Sequence, residues 1–200
     1  MFIEPSFDQN EISNRYGWIE VICGAMFSGK TEELIRRLNR ALIAKQKVEI
    51  FKPKVDNRYH AEKIVSHSNR EIRSTSINVA QDILLLSGDC DVIGIDEAQF
   101  FDEAIIDVCN NLANSGKRVI VAGLDMDYEG KPFGPMPQLM AIAEFVTKVH
   151  AICAKTGQLA SYSFRVHPSN SKFMLGEIGQ YEARSRKAFF EGMKDRKKGD

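Results

Sequence analysis

The sequence is poor in several features that mark particular protein classes. Its 200 residues contain 4 cysteines and 1 tryptophan. No two cysteines form a C-x2-C pair, and we expect all of the thiols to be reduced, because disulfide frameworks belong to short exported chains. No run of about 18 apolar residues occurs, so no transmembrane helix is predicted. The first residues lack a basic leader and an apolar stretch, and we therefore expect no secretory signal.

An excess of either charge is also missing. Lys and Arg total 27, and so do Asp and Glu, which gives a net charge of zero. A protein that binds nucleic acid mainly through its phosphates needs a basic surplus, so we expect no nucleic-acid partner. Hydrophobic residues make up 44% of the chain, which is enough for a sizeable core. These features predict a soluble globular protein of the cytoplasm that has no membrane partner.

Short apolar runs alternate with helical patterns through much of the chain. Residues 18–23 form a run that ends abruptly at Gly24, and from Thr31 onward apolar residues recur at helical spacing. Strands that alternate with helices predict an α/β fold, a parallel sheet covered on both faces. We expect further strands at 48–51, where Pro53 stops the strand, at 92–95 and at 118–122, and further helices at 78–86 and 102–113.

The character of the sequence divides the chain into four parts. Residues 1–16 are polar and without pattern, and we expect them to be flexible. The alternating core covers 17–149, and a small strand-rich region follows at 150–190. The last residues, 191–200, form a charged tail that we interpret as a solvated terminus.

Residues 24–31 match the P-loop spacing G-x4-G-K-[ST] in full, with a strand before them and a helix after them. The glycines let backbone amides curl around a phosphate, and the helix directs its positive end there. We expect Lys30 to reach the β- and γ-phosphates of a nucleotide and the Thr31 hydroxyl to bind magnesium. The predicted nucleotide-binding residues are Gly24, Ala25, Met26, Phe27, Ser28, Gly29, Lys30 and Thr31.

A second motif follows about 65 residues later. The apolar run 92–95 ends in Asp96 and Glu97, which is the Walker B arrangement. It places Asp96 beside the P-loop, where it can hold the magnesium shell, and makes Glu97 the candidate base for the attacking group. Together the motifs predict nucleoside triphosphate binding and phosphoryl transfer. They leave open whether the acceptor is water or a substrate hydroxyl.

Three functions fit these motifs. A small-molecule kinase encloses its acceptor and excludes water, a P-loop ATPase of another type hydrolyses ATP to drive a partner, and a regulator binds ATP without consuming it. The chain has no second recognisable module for a track or partner, and its loops near the predicted site carry several aromatic rings. Flat rings suit a nucleobase pocket, which favours the kinase.

Several motifs in order resemble the type II thymidine kinase family over residues 18–190. They are G-A-M-F-S-G-K-T at 24–31, K-P-K-V-D-N-R-Y at 52–59, S-H-S at 66–68, D-E-A-Q-F-F at 96–101, G-L-D-M-D-Y-E-G-K-P-F-G at 123–134 and Tyr181. The resemblance implies a P-loop fold of the RecA-like type whose C-terminal part is a lasso subdomain. It also implies transfer of the γ-phosphate of ATP to the 5′-hydroxyl of thymidine or deoxyuridine, in a homotetramer.

The resemblance also implies roles for particular residues. Glu97 accepts the proton of the 5′-hydroxyl, and Asp56 and Arg58 act near the metal and the transferred phosphate, so that the catalytic set is Glu97, Lys30 and Arg58. The nucleotide set gains Asp56 and Asp96, and the magnesium ligands are Thr31 and Asp96. The implied nucleoside pocket consists of Met26, Phe101, Leu124, Phe133, Tyr162, Ser163 and Tyr181.

The sequence departs from this family at its zinc site. Members usually carry two C-x2-C pairs, and here the first reads Cys153-Ala154-Lys155-Thr156 and the second reads Ser185-Arg186-Lys187-Ala188. A structural zinc needs four donors, and one cysteine cannot supply them. We therefore expect an enzyme that uses ATP and magnesium and holds no zinc.

Overall fold

Seven strands form the main sheet of the computed structural model, which describes residues 16–54, 63–64, 72–166 and 179–199. The strands are β1 (Trp18–Cys23), β2 (Val48–Pro53), β3 (Lys63–Ile64), β4 (Ile72–Ile77), β5 (Val92–Ile95), β6 (Arg118–Gly123) and β7 (Phe145–Lys148). Their order across the sheet is β3-β4-β2-β5-β6-β1-β7. Every neighbouring pair is parallel except β3 and β4. The predicted α/β fold with a parallel sheet is confirmed.

Four helices cover the two faces of this sheet. They are α1 (Lys30–Ile43), α2 (Asp82–Leu86), α3 (Ala104–Asn114) and α4 (Met136–Ile142). Helix α1 packs on one face, where Leu34 and Leu38 join alternate strand residues such as Ile22. Buried residues of α2, α3 and α4 pack on the other face against the remaining strand residues. Burial on both sides explains why the strands read as continuous apolar runs.

Some boundaries differ from those that the sequence predicts. Strand β2 continues to Pro53, because the fixed φ of proline suits extended backbone and the next N–H, of Lys54, donates to the Ile77 carbonyl at 2.9 Å. The helix expected at 78–86 begins only at Asp82, and the one expected at 102–113 is α3. Strands β3, β4 and β7 and helix α4 were not predicted. Strand β3 has 2 residues, β4 and β7 have no strong apolar alternation, and α4 has 7 residues.

A buried ion-pair network fixes α1 to the sheet. Glu20, on β1, is fully buried and accepts hydrogen bonds from Arg37 at 2.7 Å and from Arg118 at 2.6 Å. Arg37 lies on α1, and it also donates to Thr147 on β7 at 3.0 Å. A buried charge costs free energy unless it is paired, and this carboxylate has two cationic partners. The network thus links the helix that follows the P-loop to three neighbouring strands.

The described residues of the C-terminal unit, 151–166 and 179–199, form short strands and one helix. Strands β8 (Ala151–Ile152) and β9 (Leu159–Ala160) pair, β10 (Tyr162–Arg165) pairs with β11 (Tyr181–Arg184), and both pairs are antiparallel. Helix α5 (Arg186–Gly199) follows and runs through residue 191, where the sequence predicts the start of a tail. None of the helices in the described ranges has the length and apolarity needed to span a bilayer.

Aromatic rings join α5 to this unit. Phe189 is fully buried and stacks on Tyr162 with ring centroids 4.6 Å apart, while Phe164 meets it edge-on at 6.0 Å. Because β10 and α5 are distant in sequence, this stack is a long-range contact. It holds the strand that carries Ser163 against the helix.

Candidate active site

The P-loop lies between β1 and α1 at the carboxyl edge of the sheet. Gly24 has a φ of 150°, and a Cβ placed there would lie 2.2 Å from the Val149 carbonyl oxygen, so only glycine fits. The Ala25 carbonyl accepts hydrogen bonds from the Ser28 hydroxyl at 2.7 Å and from Lys30 Nζ at 2.8 Å. Helix α1 begins directly after Gly29, which has a left-handed conformation. The loop therefore has the shape that directs a helix N-terminus at an anion.

Thr31 and Asp96 meet at this edge. The Thr31 hydroxyl lies 3.3 Å from Asp96 Oδ2, although the residues are 65 positions apart in sequence. Burial raises the pKa of the Asp96 carboxyl, the adjacent Glu97 carboxylate raises it further, and Lys30 and Thr31 oppose both effects. A buried carboxylate beside a hydroxyl is an oxygen donor set that suits magnesium. The two sequence-predicted ligands are brought together.

Glu97 follows in a backbone conformation that is rare for its type. It has φ 52° and ψ 40°, which is left-handed, and it precedes a 3-10 turn at Ala98–Phe100. Its own N–H donates to Asp96 Oδ1 at 2.9 Å, and its carboxylate accepts a hydrogen bond from the Gln99 side chain at 2.5 Å. Gln99 also accepts from the Leu124 N–H at 2.9 Å. The predicted base is thus connected to the loop that follows β6.

The C-terminal unit contacts the P-loop directly. The Met26 N–H donates to the Ser163 hydroxyl at 3.0 Å, and Ser163 is buried. Tyr181, on the neighbouring strand β11, is buried too, and its hydroxyl accepts from Arg165 at 2.9 Å. Of the predicted pocket residues, Met26 and Ser163 therefore lie together, with Tyr181 on the adjacent strand.

Two of the predicted aromatic pocket residues pack against other parts of the protein. Phe101 is buried in the main core against the sheet, and the neighbouring Phe100 meets Phe133 edge-on with ring centroids 5.5 Å apart. The Tyr162 ring stacks on Phe189 of α5. Sequence spacing alone gives no signal for these orientations, because each is set by a contact that is distant along the chain.

Sequence reasoning missed three polar residues at this edge. Gln99 was quoted only as part of a motif, although its side chain contacts the candidate base. Asp125 is buried two residues after β6, and one of its oxygens lies 2.6 Å from Lys148 Nζ at the end of β7. The ends of parallel strands converge on one edge, and that rule is a signal that could have found Asp125.

Some predicted residues lie outside the described part of the chain. These are Asp56 and Arg58, which the resemblance places near the transferred phosphate. Their roles stay predictions.

The four positions where the related family has zinc ligands lie in the C-terminal unit. The Cys153 thiol receives hydrogen bonds from the Thr156 hydroxyl and from the backbone N–H and hydroxyl of Ser185. Burial raises the pKa of this thiol, but the hydrogen bonds outweigh burial and lower it to about 6. Within the described ranges, no group of three or more His, Cys, Asp and Glu side chains could hold a metal ion. Hydrogen bonds to the Cys153 sulfur thus connect the segment after β8 to the segment before α5.

Comparison with known proteins gives a consistent result. The family model for thymidine kinase matches residues 17–189. A thymidine kinase of Bacteroides thetaiotaomicron is 58% identical over 184 residues, which cover 92% of this chain and 92% of that protein. A thymidine kinase of a Rhodothermus species is 59% identical over 173 residues, or 86% of this chain and 81% of that protein. A thymidine kinase of Porphyromonas gingivalis is 59% identical over 169 residues, or 84% and 83%.

Proposed function

The chain belongs to the thymidine kinase family, and we propose that it transfers the γ-phosphate of ATP to the 5′-hydroxyl of thymidine, and also of deoxyuridine. One observation carries this assignment. The P-loop, the Thr31–Asp96 pair and the Glu97 carboxylate lie at one sheet edge, and Ser163 of the C-terminal unit bonds to the P-loop there. A donor site and a cover for an acceptor are thus adjacent.

The donor side follows from the loop geometry. Lys30 neutralises phosphate charge, and the α1 N-terminus, with backbone amides of the P-loop other than that of Met26, binds the β- and γ-phosphates. Thr31 and Asp96 would hold magnesium, which when bound offsets charge that develops on the phosphoryl oxygens. Their oxygens are close together, Asp96 is buried and Thr31 is half-buried.

Glu97 acts on the acceptor side. It accepts the proton of the 5′-hydroxyl as that oxygen bonds to the γ-phosphorus, and the bond from this phosphorus to the bridging oxygen of ADP breaks. The side chain needs a fixed direction to do this, and Gln99 and the left-handed backbone supply one. Arg58 and Asp56 assist near the transferred group, as the family resemblance implies.

The nucleoside pocket combines both parts of the molecule. We assign to it Met26 and Leu124 beside the site, Phe133 with its partner Phe100, and Ser163 on β10. Phe101, Tyr162 and Tyr181 remain in the proposal as residues that shape this pocket from the core and from the C-terminal unit. Loss of water from such a pocket favours transfer over hydrolysis.

Further properties follow from composition and from the family resemblance. A zero net charge supports a small-molecule enzyme without a nucleic-acid partner. The family resemblance supports a homotetramer, for which exposed apolar side chains such as Leu85 and Leu159 offer contact surface. Free cysteines support a reducing compartment, the cytoplasm. The family's zinc site uses four cysteines, and here Cys153 alone remains and is held by hydrogen bonds, which supports an enzyme without zinc.

An assay of ATP consumption with and without thymidine tests the function. A thymidine kinase consumes ATP only when thymidine is present, and one ADP forms per thymidine monophosphate. Phosphate release without a nucleoside would indicate a P-loop ATPase of another type instead. ATP binding with no consumption under either condition would indicate a regulator. Adenosine as acceptor is the matched control, because a pocket closed around a pyrimidine excludes the larger purine base.

A further inference from the structure

We propose that Gln99 is a positioning residue. It orients the Glu97 carboxylate toward the acceptor, and it connects that carboxylate to Leu124, which we assign to the nucleoside pocket. The inference rests on the proposed function, since it needs Glu97 to be the base. Gln99 does not touch the reacting atoms. It acts through the two hydrogen bonds that its side-chain amide makes.

The two bonds fix which way the amide points. The Gln99 amide nitrogen donates to Glu97 Oε2 at 2.5 Å, and its oxygen accepts from the Leu124 N–H at 2.9 Å. A flipped amide would place its oxygen against a carboxylate and its NH2 group against an N–H donor. Both contacts would then be repulsive, so only one orientation is compatible with both neighbours. The hydrogen bond from the Leu124 N–H thus fixes the orientation in which the Gln99 NH2 group faces Glu97.

The surroundings leave the Gln99 side chain little room to move. It is only 2% exposed. A Cβ at Gly123 would lie 2.9 Å from the Gln99 side-chain oxygen and 2.6 Å from Met136 Sδ. At Gly134, where φ is 49°, a Cβ would lie 2.3 Å from the Gln99 carbonyl oxygen. Two glycines therefore let the β6 loop close around Gln99, and the amide sits in a slot fitted to it.

The Glu97 backbone is held separately from its side chain. Its N–H bonds to Asp96, and the carboxylates of residues 96 and 97 are close enough to repel. Lys30 and Thr31 face Asp96 from α1. The buried Gln99 amide holds one oxygen of the Glu97 carboxylate by a direct hydrogen bond. Loss of that bond would let the carboxylate move, and displacement of a reacting group by about 1 Å can cost about 100-fold in rate.

A merely structural role for Gln99 would have a different signature. A tether between the 3-10 turn and the β6 loop would stabilise the fold and shape the pocket, so its loss would lower the melting temperature and raise KM for thymidine. A positioning role acts on the chemical step, so its loss lowers kcat while KM for thymidine and for ATP changes little.

The test is a double-mutant cycle on the full chain. The variants are Gln99→Met, which keeps the volume and removes both bonds, Glu97→Gln, and the pair together. Gln81→Met is the matched control, because Gln81 is exposed at the start of α2. We expect Gln99→Met to lower kcat about 10- to 100-fold and to leave both KM values within about threefold. In the Glu97→Gln background the same change should have almost no further effect, because the two residues act as one unit.

A second variant separates the two bonds. Gln99→Glu keeps an acceptor for the Leu124 N–H but turns an acceptor toward Glu97. In mildly alkaline buffer, where the new carboxyl is ionised, kcat should fall at least as far as in Gln99→Met. Full activity there would mean that only the Leu124 tether matters, and it would overturn the proposal.

The remaining outcomes distinguish a wrong role for Gln99 from a wrong role for Glu97. If Glu97→Gln lowers kcat strongly but Gln99→Met does not, the role of Gln99 is overturned and the proposed function stands. Additive losses in the cycle overturn it as well, since they show that Gln99 acts independently of Glu97. If Glu97→Gln leaves kcat unchanged, the base itself is wrongly assigned, and the proposal for Gln99 fails with it.

Discussion

The main sheet and the C-terminal unit are stabilised in different ways. The sheet carries a buried charge network of Glu20, Arg37 and Arg118, and the buried Asp96 lies at its carboxyl edge next to the P-loop. The C-terminal unit relies on stacked rings, of which Phe189 is the centre, and on hydrogen bonds to the Cys153 sulfur. A charged framework fixes directions and so suits the transfer of a phosphoryl group. A ring stack tolerates small shifts and so suits a cover over the acceptor.

The largest expected effect is on kcat, and it tests the part of the comparison that concerns the sheet. Glu97→Gln keeps the size of the side chain and removes the base, so we expect kcat to fall about 100- to 10,000-fold while ATP affinity stays within a few-fold. Steady-state kinetics and nucleotide titration measure the two quantities separately. Unchanged turnover would remove Glu97 from the mechanism.

Arg37→Met tests the buried charge network that holds α1 to the sheet. The change leaves the buried Glu20 carboxylate with Arg118 as its cationic partner in the network and removes the link from α1 to Thr147. Breaking a buried pair costs about 3–5 kcal/mol, and denaturant unfolding should show that loss.

Arg36→Met is the matched control, because Arg36 pairs with Glu33 at the surface and its side chain is 48% exposed. We expect a cost of less than about 1 kcal/mol for this exposed pair. Equal losses in the two variants would contradict the importance of burial.

Phe189→Ala should loosen the C-terminal unit. The ring contacts Tyr162 and Phe164, and its removal leaves a cavity that costs about 3 kcal/mol. Because β10 carries Ser163, we expect KM for thymidine to rise more than KM for ATP. Phe190→Ala is a useful comparison, since that ring is 46% exposed and should matter less. An equal rise in both KM values would mean that the cover and the donor site are not separable.

The last effect appears only with a change of pH, and it concerns the Cys153 thiol. Its pKa is lowered from 9.0 to about 6 in the folded protein, so the thiolate stabilises the fold fully above pH 9 and loses that contribution as the pH falls toward 6. The stability difference between the parent and Cys153→Ala should therefore grow with pH across this window. Urea midpoints at several pH values measure it. Cys109→Ala is the control, because burial raises the pKa of that thiol to about 12 and its contribution should not vary with pH below 9.

The fold followed largely from local sequence, whereas the site followed only in part. The P-loop and the Asp96–Glu97 pair are contiguous motifs, and their chemistry can be read from neighbouring residues. Gln99 escaped notice because its partners, Glu97 and Leu124, meet only after β5 and β6 pair. The sequence of α5 does contain a helical pattern, since Phe189 and Met193 are apolar and four residues apart.

The identity of the molecule that receives the γ-phosphate tests the proposed function most directly. The purified chain is incubated with ATP labelled in the γ-phosphate and with thymidine, and the labelled products are separated. We expect the label in thymidine monophosphate, with almost none in free phosphate, and no loss of ATP when thymidine is omitted. Label that appears mainly in inorganic phosphate, at the same rate with or without thymidine, would contradict the assignment.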